Sequence, residues 1–251
     1  MLVLDFWFIC IAGAATIFAA VSKAGFGSGA SFAAASVLAL VVEPGLALGV
    51  MLPILMLIDV AAVPAYWRKW DTKSALLLVV GSLPGVALGA WLYSISHPDV
   101  FRILIGLISI FFVAWQVASA RGWIAKTEKT LPTWAGALAG MTGGFTSFVS
   151  HAGGPPVAIY LLRQGLDKLT YQATTVLTFW AINIAKAVPY AFLGMFTLDT
   201  LKANLILAPF ALFGTWLGVK LHNLVPEKLF FRLTYVMLLV TGTKLIWDGI
   251  A

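Results

Sequence analysis

The chain has 251 residues, of which 61% are hydrophobic and only 10% are charged. A soluble domain carries about 25% charged residues, so this chain could not cover a water-facing surface and is expected to face lipid. The net charge of +6 does not indicate a nucleic-acid partner, because the basic residues cluster between apolar segments, as in the positive-inside pattern of membrane proteins. The single cysteine, Cys10, excludes an intrachain disulfide and a cysteine-based metal site.

Apolar segments of bilayer-spanning length recur along the chain. They contain glycine and proline but no strand-like alternation, so they predict an all-α polytopic membrane protein rather than a β-barrel. We predict ten segments, at residues 4–21, 29–42, 45–66, 74–95, 100–119, 132–149, 153–162, 171–195, 201–221 and 229–248. The chain begins MLVLDFWFIC, without a basic region, so the first segment is interpreted as part of the membrane domain rather than as a cleaved signal.

The connectors between segments indicate an orientation. Lysine and arginine are concentrated at 66–73, 120–131, 163–168 and 220–232, and they are scarcer in the other connectors. The positive-inside rule then places these four connectors in the cytoplasm and both termini outside.

Two segment pairs are too short to cross a bilayer twice. As continuous helix, the stretch from Pro132 to Leu162 would reach only about 46 Å, against roughly 60 Å for two crossings. The pair at 4–42 is also tight. We therefore predict that both pairs are broken or re-entrant helices whose tips lie within the membrane.

The two halves of the chain share prolines, glycines and tryptophans at one offset. Four pairs are each separated by 125 residues: Pro64 and Pro189, Pro84 and Pro209, Gly89 and Gly214, and Trp91 and Trp216. The pattern predicts two repeats, 1–119 and 132–251, joined by a cytoplasmic linker at 120–131. Each repeat would have a broken pair followed by three transmembrane helices. An odd number of crossings gives the halves opposite orientations, which is the inverted-repeat plan of secondary transporters.

Two glycine-rich stretches occupy matching places in these repeats. SKAGFGSG spans 22–29 and SHAGGPP spans 150–156. Together with the paired halves, they resemble the TauE/SafE membrane transporter family, the sulfite exporters. The resemblance covers nearly the whole chain. It implies export, and in some members uptake, of a small sulfur-containing anion, such as sulfite or an organosulfonate, coupled to the proton gradient.

The expected setting is the cell inner membrane, with the chain as a multi-pass protein. A homodimer is the expected assembly. No stretch matches a P-loop, a dinucleotide fingerprint or a zinc HExxH pattern, so no cofactor is expected, and an ATP-driven pump would need a separate chain.

Four ionizable residues lie well inside apolar segments and are candidates for function: Lys23, Asp59, His151 and Lys186. Lys23 and His151 stand at matching tips of the repeats. A half-helix that begins at such a tip directs its positive dipole end to the membrane midplane, and glycines there expose backbone N–H groups, so the tips predict a cradle for an anion. The predicted substrate-binding residues are Ser22, Lys23, Gly25, Gly27, Ser150, His151, Gly153, Gly154, Asn183 and Lys186.

Other interpretations of these residues stay open. The glycines could serve only close helix packing, and Lys23 could extend to an interface. His151 is the first choice for proton coupling because histidine titrates near physiological pH, and Asp59 is the second. Asp59 is expected to pair with Lys186, since each charge alone would be expensive to bury. That pair could be purely structural.

Two further functions are considered. An anion channel would also use broken helices and cationic tips. An intramembrane hydrolase could use Ser147 or Ser150 as nucleophile and His151 as base, but no third orienting acid is evident, so the chain is not expected to be an enzyme. The glycines of GSLPGVALG, at 81–89, are predicted to serve close helix packing.

Overall fold

The computed structural model describes residues 4–25, 31–123, 130–221 and 227–251. Over these ranges the chain forms helices and short connections, without β-strands. The helices are α1 (Phe6–Gly25), α2 (Ala33–Val41), α3 (Pro44–Tyr66), α4 (Thr72–Ile95), α5 (Pro98–Ala120), α6 (Thr133–Ser150), α7 (Gly154–Leu161), α8 (Lys168–Phe192), α9 (Leu198–Leu221) and α10 (Glu227–Ile250). Each predicted segment coincides with one of them.

The second helix of each predicted pair is short. Helix α2 has 9 residues and α7 has 8, so each extends only about 12 to 14 Å and cannot cross a bilayer alone. In the second pair, three residues separate the end of α6 from the start of α7. These lengths agree with the prediction that each half contains one helix too short to span.

Six helices among the described residues are long and apolar enough to cross a membrane: α1, α3, α4, α5, the Leu198–Gly218 part of α9 and the Phe231–Ile250 part of α10. The sequence also predicts six full crossings. In that prediction α8 is a full crossing, whereas α1 belongs to a broken pair. Helix α8 is long enough at 25 residues. However, Asn183, Lys186 and several threonines reduce its apolar character, and it is not among these six.

Helix starts follow local sequence signals. Proline occupies the first turn of α3, α5 and α7, where the missing N–H removes no intrahelical hydrogen bond. Asp167 caps α8 by accepting hydrogen bonds from the backbone N–H groups of Leu169 (2.9 Å) and Thr170 (3.1 Å). The Thr170 hydroxyl also donates to this exposed carboxyl and, as the main cause, holds the pKa of Asp167 below its usual value.

Helices from the first half of the chain pack against helices from the second half. Helix α4 packs along α6, α9 packs along α1, and α5 packs along α10. Helices α3 and α8 contact each other and also pack against α9 and α4, respectively. This arrangement brings α3 and α8, which carry Asp59, Asn183 and Lys186, into the interior of the bundle.

Glycines form the closest of these contacts. A Cβ atom added to Gly85 of α4 would lie 1.9 Å from the backbone oxygen of Met141 in α6. One added to Gly144 of α6 would lie 2.2 Å from the oxygen of Ser82. Gly81 and Gly89 also face α6 at distances that leave no room for a side chain. The prediction of close helix packing at 81–89 is confirmed.

We expect Gly85→Ala to destabilise the fold by about 1–3 kcal/mol, because its methyl group would force α4 and α6 apart. Thermal unfolding of the purified protein in detergent, followed by tryptophan fluorescence, measures the effect. Ala87→Leu is the matched control, since Ala87 is exposed on the same helix and its enlargement should leave the melting temperature unchanged. Equal melting temperatures for the two variants would contradict the prediction.

Candidate functional site

The site begins where α6 ends. His151 follows Ser150 with φ +58°, in the left-handed region that histidine tolerates better than most residues with a Cβ. Its N–H donates to the oxygen of Ser147 at 2.9 Å. This turn ends α6 inside the bundle and lets α7 begin at Gly154.

Two side chains of α8 donate hydrogen bonds to backbone carbonyl groups at the end of α6. Lys186 Nζ donates to the oxygen of Ser147 at 3.0 Å, and the Tyr190 hydroxyl donates to the oxygen of Phe148 at 2.7 Å. The last carbonyls of a helix lack intrahelical partners and carry partial negative charge, so a lysine amine is well placed there. Lys186 and Tyr190 are both 0% exposed. Lys186 therefore has a structural role as well as a candidate functional one.

His151 is held between α3 and α8. Its Nδ1 lies 2.9 Å from Lys186 Nζ, and its Nε2 lies 3.3 Å from the oxygen of Leu48 in α3. A carbonyl oxygen can only accept, so Nε2 carries the ring proton and Nδ1 accepts from the Lys186 amine. We assign this tautomer from the hydrogen bonds. The neutral ring thus has both nitrogens engaged.

A second buried group joins α1, α3 and α8. Lys23 Nζ lies 2.5 Å from Asp59 Oδ1, and Asn183 Nδ2 donates to Asp59 Oδ2 at 2.7 Å. Lys23 also reaches the backbone oxygen of Leu55 at 3.5 Å. All three side chains are buried. This group balances one negative charge against one positive charge.

The expected pairing of Asp59 with Lys186 is wrong. The ion pair that the structure forms at Asp59 is with Lys23 of α1. Lys186 is directed to the end of α6 instead, where carbonyl oxygens and His151 take its hydrogen bonds. The reason is the orientation of α8, which turns Asn183 toward α3 and Lys186 toward α6.

These two buried groups border a single small cavity. It is lined by Lys23, Ser31, Leu55, Ser147, His151, Gly154, Phe179 and Asn183. Its volume is about 10 Å³, which is room for one water molecule. Lys23 and His151, which are 128 residues apart in sequence, therefore meet at one place. An anion of four or more heavy atoms could enter only after the surrounding helices move.

The predicted serines lie beside this cavity rather than on its wall. Ser22 is fully buried, and its hydroxyl has no hydrogen-bond partner among the described residues. The Ser150 hydroxyl donates to the backbone oxygen of Thr146 at 3.0 Å. Ser150 therefore has an intrahelical partner already, whereas Ser22 has an unused hydroxyl.

Of the predicted glycines, one lines the cavity and two lie at close backbone contacts. Gly154 lines the cavity. A Cβ added to Gly25 would lie 2.6 Å from the oxygen of Gly218, and one added to Gly153 would lie 2.7 Å from the oxygen of Gly143. Both positions thus serve close packing, which is the alternative considered from the sequence. Gly27 lies outside the described residues.

Three residues that line the cavity were not among the predicted substrate-binding residues: Ser31, Leu55 and Phe179. Leu55 and Phe179 each stand four residues before a polar site residue on the same helix, Asp59 and Asn183, respectively. Helical spacing of four places such residues on one face, so this spacing was the available signal.

A roomier groove lies elsewhere among the described residues. It measures about 550 Å³ between α3 and α8 and is lined by Val60, Val63, Pro64, Trp67 and Trp180. It is much roomier than the cavity at His151, but its wall is apolar and offers an anion no charged partner. We therefore place the candidate site at the small polar cavity.

The sequence matches the family described as sulfite exporter TauE/SafE over residues 12–245. This match covers most of the chain, and the protein belongs to that family. No curated protein and no solved structure matches the chain significantly. The family assignment thus identifies a transporter that takes a small anion, embedded in a membrane as a multi-pass protein.

Proposed function

We propose that this TauE/SafE family member is a secondary transporter, and specifically an exporter, that carries sulfite or an organosulfonate across the cell inner membrane and is coupled to the proton gradient. The observation that carries the proposal is the buried cavity around His151. Lys23 and His151 line it, and each has a buried partner: the carboxylate of Asp59 pairs with Lys23, and the amine of Lys186 contacts His151. A buried excess of cationic groups is costly unless an anion is to be bound there.

Lys186 and α7 provide the attraction for the anion. Lys23 is already paired with Asp59, whereas none of the ion pairs among the described residues includes Lys186. Helix α7 begins at the cavity wall at Gly154, so its positive dipole end points toward the site. Pro155 and Pro156 have no N–H, so Gly154 is the main backbone donor of that first turn. We propose that the anion contacts Lys186, His151, Asn183 and Gly154.

The small volume of the cavity favours a carrier over a channel. An open pore needs a continuous wet path, whereas this site has room for about one water molecule. A carrier instead opens the site alternately to each side by moving one group of helices against another.

The helix contacts support the inverted repeat. If 1–119 and 132–251 are equivalent halves, α4 and α6 correspond to α9 and α1. Both of these pairs are extensively packed, and the α5–α10 contact maps onto itself. We propose that the halves are inverted repeats joined by the cytoplasmic linker at 120–131, and that the protein assembles as a homodimer.

The geometry disfavours a serine hydrolase. Such an enzyme needs a histidine nitrogen free to accept the proton of the serine hydroxyl. In this site Nδ1 of His151 faces Lys186 and Nε2 faces the oxygen of Leu48. Ser147 contributes its backbone oxygen to Lys186 rather than a nucleophile to the histidine.

Counterflow in proteoliposomes tests the function. Vesicles preloaded with unlabelled sulfite should take up labelled sulfite faster than empty vesicles, because a carrier returns its site more quickly when it is loaded. A proton gradient across the vesicle membrane should change this flux. Uptake without acceleration by internal sulfite would indicate a channel. If the protein transports simple carboxylates but no sulfur anion, the proposed substrate class is wrong.

A further inference from the structure

The ionizable side chains near the cavity form two groups, which differ in whether they can gain or lose a proton. Lys23 and Asp59 form a direct ion pair, and Asn183 holds the second oxygen of the carboxylate. This group is neutral overall, and both of its charged members are buried. Loss or gain of a proton here would leave one buried charge unpaired, so this group is expected to keep its protons throughout.

The second group consists of two basic nitrogens and contains no carboxylate. Lys186 and His151 share a hydrogen bond of 2.9 Å. The other contacts of the pair are backbone oxygens, of Ser147 to Lys186 and of Leu48 to His151. The titratable groups near His151 are Lys186 and Tyr190 of α8 and Lys23 of α1, and Asp59 of α3 is the ion-pair partner of Lys23. The pair can therefore hold different numbers of protons without breaking an ion pair.

The present geometry prevents His151 from gaining a proton on its own. Protonation at Nδ1 would place an N–H and a positive ring directly against the Lys186 amine, at a separation suited only to a donor and an acceptor. An oxyanion inserted between the two nitrogens would remove this conflict, because its oxygens can accept from both. His151 lines the cavity, so an anion in the cavity could reach this position. His151 could then take up a proton once such an anion is bound.

We propose that the Lys186–His151 pair adjusts its protons to the charge of the bound anion, so that a doubly charged anion binds with one more proton than a singly charged one. Because the site is buried, an uncompensated charge has neither water nor counterions to stabilise it. The extra proton comes from solvent and binds at Nδ1 of His151. This inference rests on the proposed function. We call it the charge rule: the number of protons bound at the site follows the charge of the substrate.

Proton uptake on binding tests the inference directly. The purified wild-type protein, in weakly buffered detergent with a pH indicator, is saturated with methanesulfonate or with thiosulfate. The first stays singly charged and the second doubly charged from mildly acidic to mildly alkaline pH. We expect one additional proton per protein with thiosulfate. The ratio of the thiosulfate to the methanesulfonate dissociation constant, measured by calorimetry, should rise about tenfold per pH unit.

His151→Asn identifies the acceptor. Asparagine tolerates the left-handed backbone at this position but cannot take up a proton. We expect this variant to lose the additional proton and the pH dependence of the ratio. The matched control is His97→Asn, which changes an exposed histidine between α4 and α5 and should keep both.

The possible results separate this inference from the function on which it rests. Equal proton uptake with both anions, or binding of only one of them at every pH, overturns the charge rule while leaving anion transport intact. An additional proton that persists in His151→Asn overturns the assignment to the pair. If neither anion binds and no sulfite is transported, the proposed function fails and the inference fails with it.

Discussion

Replacement of Asp59 by alanine is expected to lower the free energy of unfolding by about 3–5 kcal/mol. The substitution removes the one carboxylate of the site and leaves Lys23 as an uncompensated cation inside the bundle. It also removes the acceptor of the Asn183 amide. Thermal and chemical unfolding of the purified protein in detergent measure the loss.

The double variant Lys23→Met/Asp59→Leu is the control for this prediction. It removes both charges together and fills their space with apolar atoms, so it should be markedly more stable than Asp59→Ala alone. A double variant that is as unstable as the single one would show that the ion pair itself, rather than the unpaired lysine, determines stability. An Asp59→Ala protein with wild-type stability would contradict the prediction outright.

Replacement of Lys186 by methionine is expected to weaken anion binding by about a hundredfold or more. The change keeps a long apolar stem in the same space but removes a buried cation that has no carboxylate partner in the part of the chain that the structure describes. Binding of methanesulfonate and thiosulfate, measured by calorimetry, reports the loss. Transport of labelled sulfite in proteoliposomes should fall in parallel.

Two comparisons separate binding from folding in this variant. Lys202→Met removes an exposed lysine of α9 and should leave affinity unchanged. The melting temperature of Lys186→Met records how much of the effect comes from the lost hydrogen bond to the end of α6. If the Lys186→Met protein retains wild-type affinity, Lys186 only caps α6, and the anion is held elsewhere.

The helices could be predicted because their signals are local. Long apolar runs and the prolines and glycines between them depend only on neighbouring residues, and each of the ten predicted segments coincides with a helix. Short length likewise identified α2 and α7 as helices that cannot span a bilayer. Helix α8 was also predicted to be a full crossing. Its 25 residues are enough for one, but its polar residues face the protein interior and leave it outside the six apolar candidates.

The chemistry of the site was partly predictable. Lys23, Asp59, His151 and Lys186 stood out because ionizable residues are expensive inside a membrane domain. Their partners did not, because pairing depends on which way a helix face turns in the folded bundle. Asp59 and Asn183 are 124 residues apart in sequence. Backbone oxygens such as those of Ser147 and Leu48, which hold Lys186 and His151, leave no sequence signal at all.

The contact between α1 and α9 has a consequence for how the protein is made. Helix α1 leaves the ribosome first, but the helix that covers its tightest face is synthesised only after α2 to α8. At about 5–20 residues per second, α1 must therefore wait roughly ten seconds or more in the bilayer before α9 arrives. During that time Lys23 can pair with Asp59 of α3, which is made early, so that ion pair can shield the lysine from lipid while the nascent chain is still incomplete.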